Sequence, residues 1–225
     1  MNVGKVLLAL MALWIPITLG AVFDHSRTNF YSVALQSDKY AGEFVSLTSE
    51  EAFVKALIAA RKPGGIVRTV DCMNTQAKPR FLFPSALVLQ PTIDLIRERD
   101  PRYRFLTTDG VINLLPEGTE PELLRVRIKE FRVDKVRVPN LVIEKLLALP
   151  EIRTKSTALK SSETLKLGGL SSPSDFATPL SVHFSNVSLR DALNLIARAY
   201  GNGIWKYTEF SCPGKKKFSL DLIAQ

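Results

Sequence analysis

The chain has 225 residues, 46% hydrophobic and 23% charged, with 30 Lys and Arg against 22 Asp and Glu for a formal net charge of +8. That length supports one large or two small packed cores, so folding need not depend on disulfide staples. Two histidines, His25 and His183, and two cysteines, Cys72 and Cys212, lie far apart and exclude a metal site built from clustered His and Cys ligands.

Met1 to Lys5 carries one positive charge, Val6 to Leu19 is apolar apart from Pro16 and Thr18, and the small pair Gly20-Ala21 follows. This pattern reads as a secretory signal peptide over residues 1–21. A retained membrane anchor is the rival reading, but the run falls short of the roughly 20 residues a spanning helix needs and Pro16 interrupts it. An exported protein, periplasmic or extracellular, is the expectation, and nucleic acid is not an expected partner. Removing the peptide takes away only Lys5, so the rest of the chain stays basic.

Residues 22–153 are expected to form an N-terminal α+β region. His25 to Tyr40 is polar and irregular and has no assigned role. Thr48 and Glu51 have capping-box spacing, and Phe53, Ala56, Leu57 and Ala60 share one stripe, which predicts a helix over 48–60 closed by Pro63-Gly64-Gly65. Ile66 to Val70 reads as a strand. Phe81 to Phe83 is a short apolar strand, Pro91 suits the first turn of a helix carrying Ile93 and Ile96, and Pro101 stops that helix. Asp109-Gly110 is a hairpin turn between Phe105 and the run Val111 to Leu115. Leu124, Val126 and Ile128 then alternate with Arg125, Arg127 and Lys129, which predicts one strand with three basic side chains on a face. A helix from Asn140 to Leu149, ended by Pro150, completes a section that reads as a degenerate further copy of the strand and helix pattern.

From Thr154 to Pro179 the composition turns to Ser, Thr, Lys and Gly, so a linker and domain boundary are expected over 154–179. A C-terminal βαββ module is expected over 180–225. Leu180, Val182 and Phe184 alternate with polar residues, and Leu189, Ala192, Leu193, Ile196 and Ala197 share one helix face. Ser188 is the N-cap and Gly201 suits the left-handed C-terminal turn. Two strands, Ile204 to Phe210 and Phe218 to Leu222, follow around Pro213-Gly214. Ile93-Asp94-Leu95-Ile96 parallels Leu193-Asn194-Leu195-Ile196, and Phe105 falls where Trp205 falls, so repeated βαββ units on short, mostly antiparallel sheets are the expected α+β fold.

The stretch VSLRDALNLIARAYGNGIWKY resembles the secretin and TonB short N-terminal domain and related small periplasmic βαββ modules, well over about the last 45 residues and weakly over Phe81 to Leu115. The resemblance implies docking between envelope proteins, with neither cofactor nor catalytic residues. Unlike the family's usual setting, no β-barrel or secretin ring follows in this sequence, and that leaves the partner unnamed.

No G-x-S-x-G elbow and no phosphate-loop fingerprint is present. Paired carboxylates such as Glu50-Glu51, and Glu98 with Asp100, read as helix-end charges. His183 is the one histidine that could serve an exported hydrolase, and its strand position places it on the wet side. Cys72 and Cys212, an even pair in an exported chain, are expected to join, with two free thiols as the alternative. The basic stripe Arg125, Arg127, Lys129 and Arg132 is an interaction surface for an acidic protein patch or anionic envelope polymer, or else a solvated face. No catalytic, cofactor or metal residue is assigned. The leading expectation is a non-catalytic docking protein; an exported hydrolase and a polyanion-binding accessory protein are the alternatives.

Overall fold

A computed structural model of the chain describes residues 43–73, 78–159, 161–163, 179–213 and 215–223. The signal peptide, His25, the lead-in to Tyr40 and residues 164–178 of the expected linker lie outside the described residues. In chain order the elements are β1 (Phe44–Leu47), α1 (Ser49–Ala60), β2 (Gly64–Asp71), β3 (Phe81–Pro84), α2 (Leu89–Arg99), β4 (Tyr103–Thr108), β5 (Val111–Pro116), a 3-10 turn (Glu122–Arg125), β6 (Arg127–Val136), α3 (Pro139–Leu147), α4 (Pro150–Ala158), β7 (Ser161–Glu163), β8 (Leu180–Ser188), α5 (Leu189–Ala199), β9 (Ile204–Cys212) and β10 (Lys215–Ile223). The fold is α+β.

Local signals set these elements. Thr48 accepts from the Glu51 backbone while the Glu51 carboxylate accepts from the Thr48 N–H, which completes the capping box of α1. Ser188 accepts from Asp191 N at 3.1 Å and starts α5. Asp109 and Gly110 take φ of 51° and 80°, the paired left-handed residues of a primed two-residue hairpin turn between β4 and β5.

Among the described residues, ten strands make one six-stranded sheet, β4-β5-β2-β9-β10-β7, and two ribbons, β1-β3 and β6-β8. Both ribbons and both hairpins are antiparallel, whereas β2 runs parallel to β5 and β9, and β7 runs parallel to β10. Neighbouring residues of the central strands serve opposite cores. Ile66, Leu114 and Ile204 pack with Phe53 and Leu57 of α1 and Ile93 and Ile96 of α2. Val67, Leu115 and Trp205 pack with Val142 and Leu146 of α3, Ile152 of α4, and Leu193 and Ile196 of α5. The result is three layers, with the sheet between two helix-and-ribbon layers.

Several expectations change at this level. The segment 180–225 does not stand apart as one module: β8 leaves β9 and β10 and pairs with β6, while β9 lies against β2. The middle section therefore supplies the partner of β8 rather than a further copy. Arg125 is not on a strand, because Pro121 leads into a 3-10 turn that buries both Leu123 and Leu124. α3 stops at Leu147, Leu149 before Pro150 is extended, and Pro150 is also the first residue of α4, where its fixed φ suits a helix start. Ile152 anchors α4, which runs to Ala158, and β7 follows, so ordered elements extend into the stretch expected to be linker. The αL residue that closes α1 is Arg61, with φ of 51°, and Gly64-Gly65 opens β2 instead.

Cys72 and Cys212 follow the last register pair of β2 and β9, Asp71 with Ser211, and are joined by a disulfide with Cα atoms 4.8 Å apart. The bond closes the seam where the two halves of the large sheet meet.

Candidate docking edge

Strand β4 and the three-residue β7 are the two edges of the large sheet, and among the described residues β4 pairs with β5 alone. Glu117 N donates to Arg102 O at 2.6 Å, and the same register continues through Arg104↔Leu115 and Leu106↔Asn113. Arg104, Leu106 and Thr108 therefore direct their backbone groups into the sheet, and alternation turns those of Tyr103, Phe105 and Thr107 outward. Thr107 is exposed and Arg104 half-buried.

Both ends of this edge are fixed. Asp100, 1% exposed, accepts from the Ser49 hydroxyl at 2.6 Å and from two nitrogens of Arg102, each at 2.6 Å. Tyr103 donates its hydroxyl to Glu50 at 2.6 Å, and Lys78 donates to the other Glu50 oxygen at 2.6 Å, with Arg68 3.7 Å away. Burial pushes the Glu50 carboxyl up, but the hydrogen bonds from Lys78 and Tyr103 and the charges of Lys78 and Arg68 outweigh it and hold the group below its ordinary value. Asp100 is likewise lowered, burial being outweighed by Arg102 and Ser49. Burial also raises the Tyr103 phenol and, despite Glu50, lowers the Lys78 ammonium. Phe105 meets Phe53 edge-on at 5.3 Å between ring centroids, with the Arg97 guanidinium 5.3 Å from the Phe105 ring centre. At the far end Arg198 donates to Asp109 O at 3.4 Å. A strand held in this way has little left to lose when a second strand is laid beside it.

The ribbons differ. Ser85 N donates to Glu43 O, which by the same alternation turns the backbone of Ser46 and Leu82 outward. Arg80 caps Ser46 O at 2.5 Å and Arg99 caps Leu82 O at 2.9 Å. On β6 the Lys129 N–H is taken by Glu151 Oε1 at 3.1 Å, and on β8 Asn186 O is taken by Arg127 at 2.8 Å. Side chains that occupy edge groups in this way blunt them against strand addition.

The basic stripe is a mixed surface. Arg127 spends its guanidinium on Asn186, Arg125 sits on the 3-10 turn, and Lys129 and Arg132 are exposed beside Glu130 and Asp134. His183 is exposed, with its imidazole 3.3 Å from an exposed Glu130 carboxylate. No hydroxyl bonds to it among the described residues. A groove of about 660 Å³, open to solvent, lies between Val126, Lys129, Leu149 and Pro150. A cavity of about 330 Å³ lies beside Asn194, Arg190 and Arg198. Among the described residues no group of three His, Cys, Asp or Glu is placed to hold a metal, and no helix is long and apolar enough to cross a membrane.

Residue-level reading missed the hub at Glu50. Its sequence position marks a helix start, and its partners Lys78 and Tyr103 lie 28 and 53 residues away, beyond any local signal. No family model, curated protein or solved structure matches the chain.

Proposed function

We propose that this is a non-catalytic docking protein of the cell envelope, working outside the cytoplasm, that binds an extended segment of another envelope protein by adding it to the β4 edge. The carrying observation is the contrast of edges: β4 is anchored at both ends and faces outward, whereas the ribbon edges carry Arg80, Arg99, Arg127 and Glu151 on their backbone groups. Strand addition draws affinity from main-chain hydrogen bonds and selectivity from the flanking side chains. The Cys72–Cys212 disulfide suits an oxidising compartment, in keeping with export. The likeness of the C-terminal stretch to the secretin and TonB short N-terminal domain points the same way.

A photo-reactive residue placed at Thr107 is expected to give a discrete adduct in intact producing cells, and one placed at Arg132 on the β6 ribbon is expected to give none. Adducts of equal yield from both positions overturn the choice of edge. Hydrolytic activity that disappears in His183→Ala overturns the non-catalytic reading.

A further inference from the structure

The chain passes twice through one order of pairings. From β1 to β5, the first strand is antiparallel to the third, the last two strands form a hairpin, and the second strand runs parallel to the last. From β6 to β10 the same relations return: β6 with β8, the hairpin β9–β10, and β7 parallel to β10. The side chains follow the pattern. Ile93 and Ile96 of α2 are buried under the first half as Leu193 and Ile196 of α5 are under the second, and Phe105 and Trp205 each face the helices of their own half. In this correspondence β4 is the counterpart of β9. The outer edge of β9 is occupied by β2, parallel over eight residue pairs from Gly64↔Ile204 to Asp71↔Ser211. Among the described residues, the outer edge of β4 is the same edge without a strand on it.

Charge narrows what fits there. Arg104 is half-buried and forms no ion pair among the described residues, and Arg198 lies at the hairpin turn, whereas Arg97, over the Phe105 ring, is already paired with Asp94 at 3.4 Å. A second copy of this chain is a poor occupant. Its β4 would bring the same arginines face to face.

We infer that β4 receives its partner strand in the parallel direction, and that this strand alternates acidic side chains on the Arg104 face with aliphatic ones on the Phe105 face. The inference rests on the docking reading above and specifies its ligand. Guanidinium groups match carboxylates with paired donors, so the acidic positions supply selectivity while the backbone supplies the ladder.

The probe is a synthetic peptide, Thr-Glu-Val-Glu-Val-Glu-Thr, carrying a nitroxide at one end or the other, titrated into isotope-labelled protein and followed by amide line broadening. An N-terminal nitroxide is expected to broaden Tyr103 and Arg104, and a C-terminal one Thr107 and Thr108. The reverse pattern overturns the parallel direction and leaves docking at β4 intact. The matching peptide with Lys in place of Glu is expected to bind about tenfold more weakly at low salt, a gap that Arg104→Gln narrows. Equal affinity of the two peptides overturns the acidic preference. If neither peptide perturbs β4, the docking edge itself falls. Thr107→Pro removes an outward N–H that the sheet does not use, so it is expected to abolish binding while keeping the wild-type melting curve. Binding that survives this change overturns main-chain addition.

Discussion

Breaking the Cys72–Cys212 bond tests the seam between the two halves. The cysteines are 140 residues apart in sequence, so the cross-link closes a loop spanning most of the described chain. In the chain-entropy model a loop of about 140 residues loses about 17 cal/mol/K in the unfolded state, which is about 5 kcal/mol at 25 °C. With a urea slope of about 2.5 kcal/mol per molar for a chain of this size, Cys72→Ser is expected to lower the unfolding midpoint by about 2 M. Cys212→Ser and the double variant are expected to give the same value, because any one change opens the loop completely. Wild type in reducing buffer is expected to join them. The assay is equilibrium urea unfolding followed by tryptophan fluorescence, with Trp205 in the β9 core as reporter. A midpoint drop below about 0.4 M, or a double variant clearly worse than either single one, refutes the reasoning: the first means that the halves hold together without the staple, and the second that each thiol has a packing role of its own.

Gly65→Ala is expected to cost about 3 kcal/mol, because its Cβ would meet the Trp205 ring and Asn113 Oδ1 in a region with no slack; urea unfolding with near-UV dichroism of Trp205 measures it. Trp205→Phe removes the 2.8 Å bond to Asn194 Oδ1 and leaves a buried amide unpaired, for an expected loss of about 2 kcal/mol in urea unfolding followed by far-UV dichroism, since this variant lacks the Trp205 signal. Glu50 and Asp100 both titrate below their ordinary values of 4.5 and 3.8, so the stability they contribute is fully present above about pH 4.5 and is lost as pH falls through the lowered folded-state values. Thermal melts from pH 7 to 3 are expected to show this decline, and Glu50→Gln to flatten part of it; a variant whose pH slope matches wild type removes Glu50 from the account. Ser188→Ala is expected to cost about 1 kcal/mol by stripping the cap of α5, measured by thermal melting.

Interactions within a few residues of each other were open to direct reading. The apolar stripe Leu189, Ala192, Leu193, Ile196 and Ala197, the cap at Ser188, the capping box of Thr48 and Glu51, and the Asp109-Gly110 turn are each written in neighbouring residues, and each forms as the spacing implies. The same holds for the alternation of Leu180 and Phe184 with polar neighbours, which defines a strand with one buried side.

Which strand lies beside which was decided by the tertiary structure. Alternation fixes the two faces of β8 but carries no mark of the strand beside it, so proximity in sequence favoured β9 and β10, while the packing of Phe131 on Phe184 at 5.1 Å gave that place to β6. Glu50 shows the same limit for charge. A carboxylate in the first turn of a helix looks solvated from the sequence, and only the arrival of Lys78, Tyr103 and Arg68 from distant segments turns it into a buried anchor for β4. Short-range hydrogen bonding and periodicity thus determined the elements, whereas the pairing of β2 with β9 and the open edge at β4 follow from long-range burial, to which a single chain of residues gives no address.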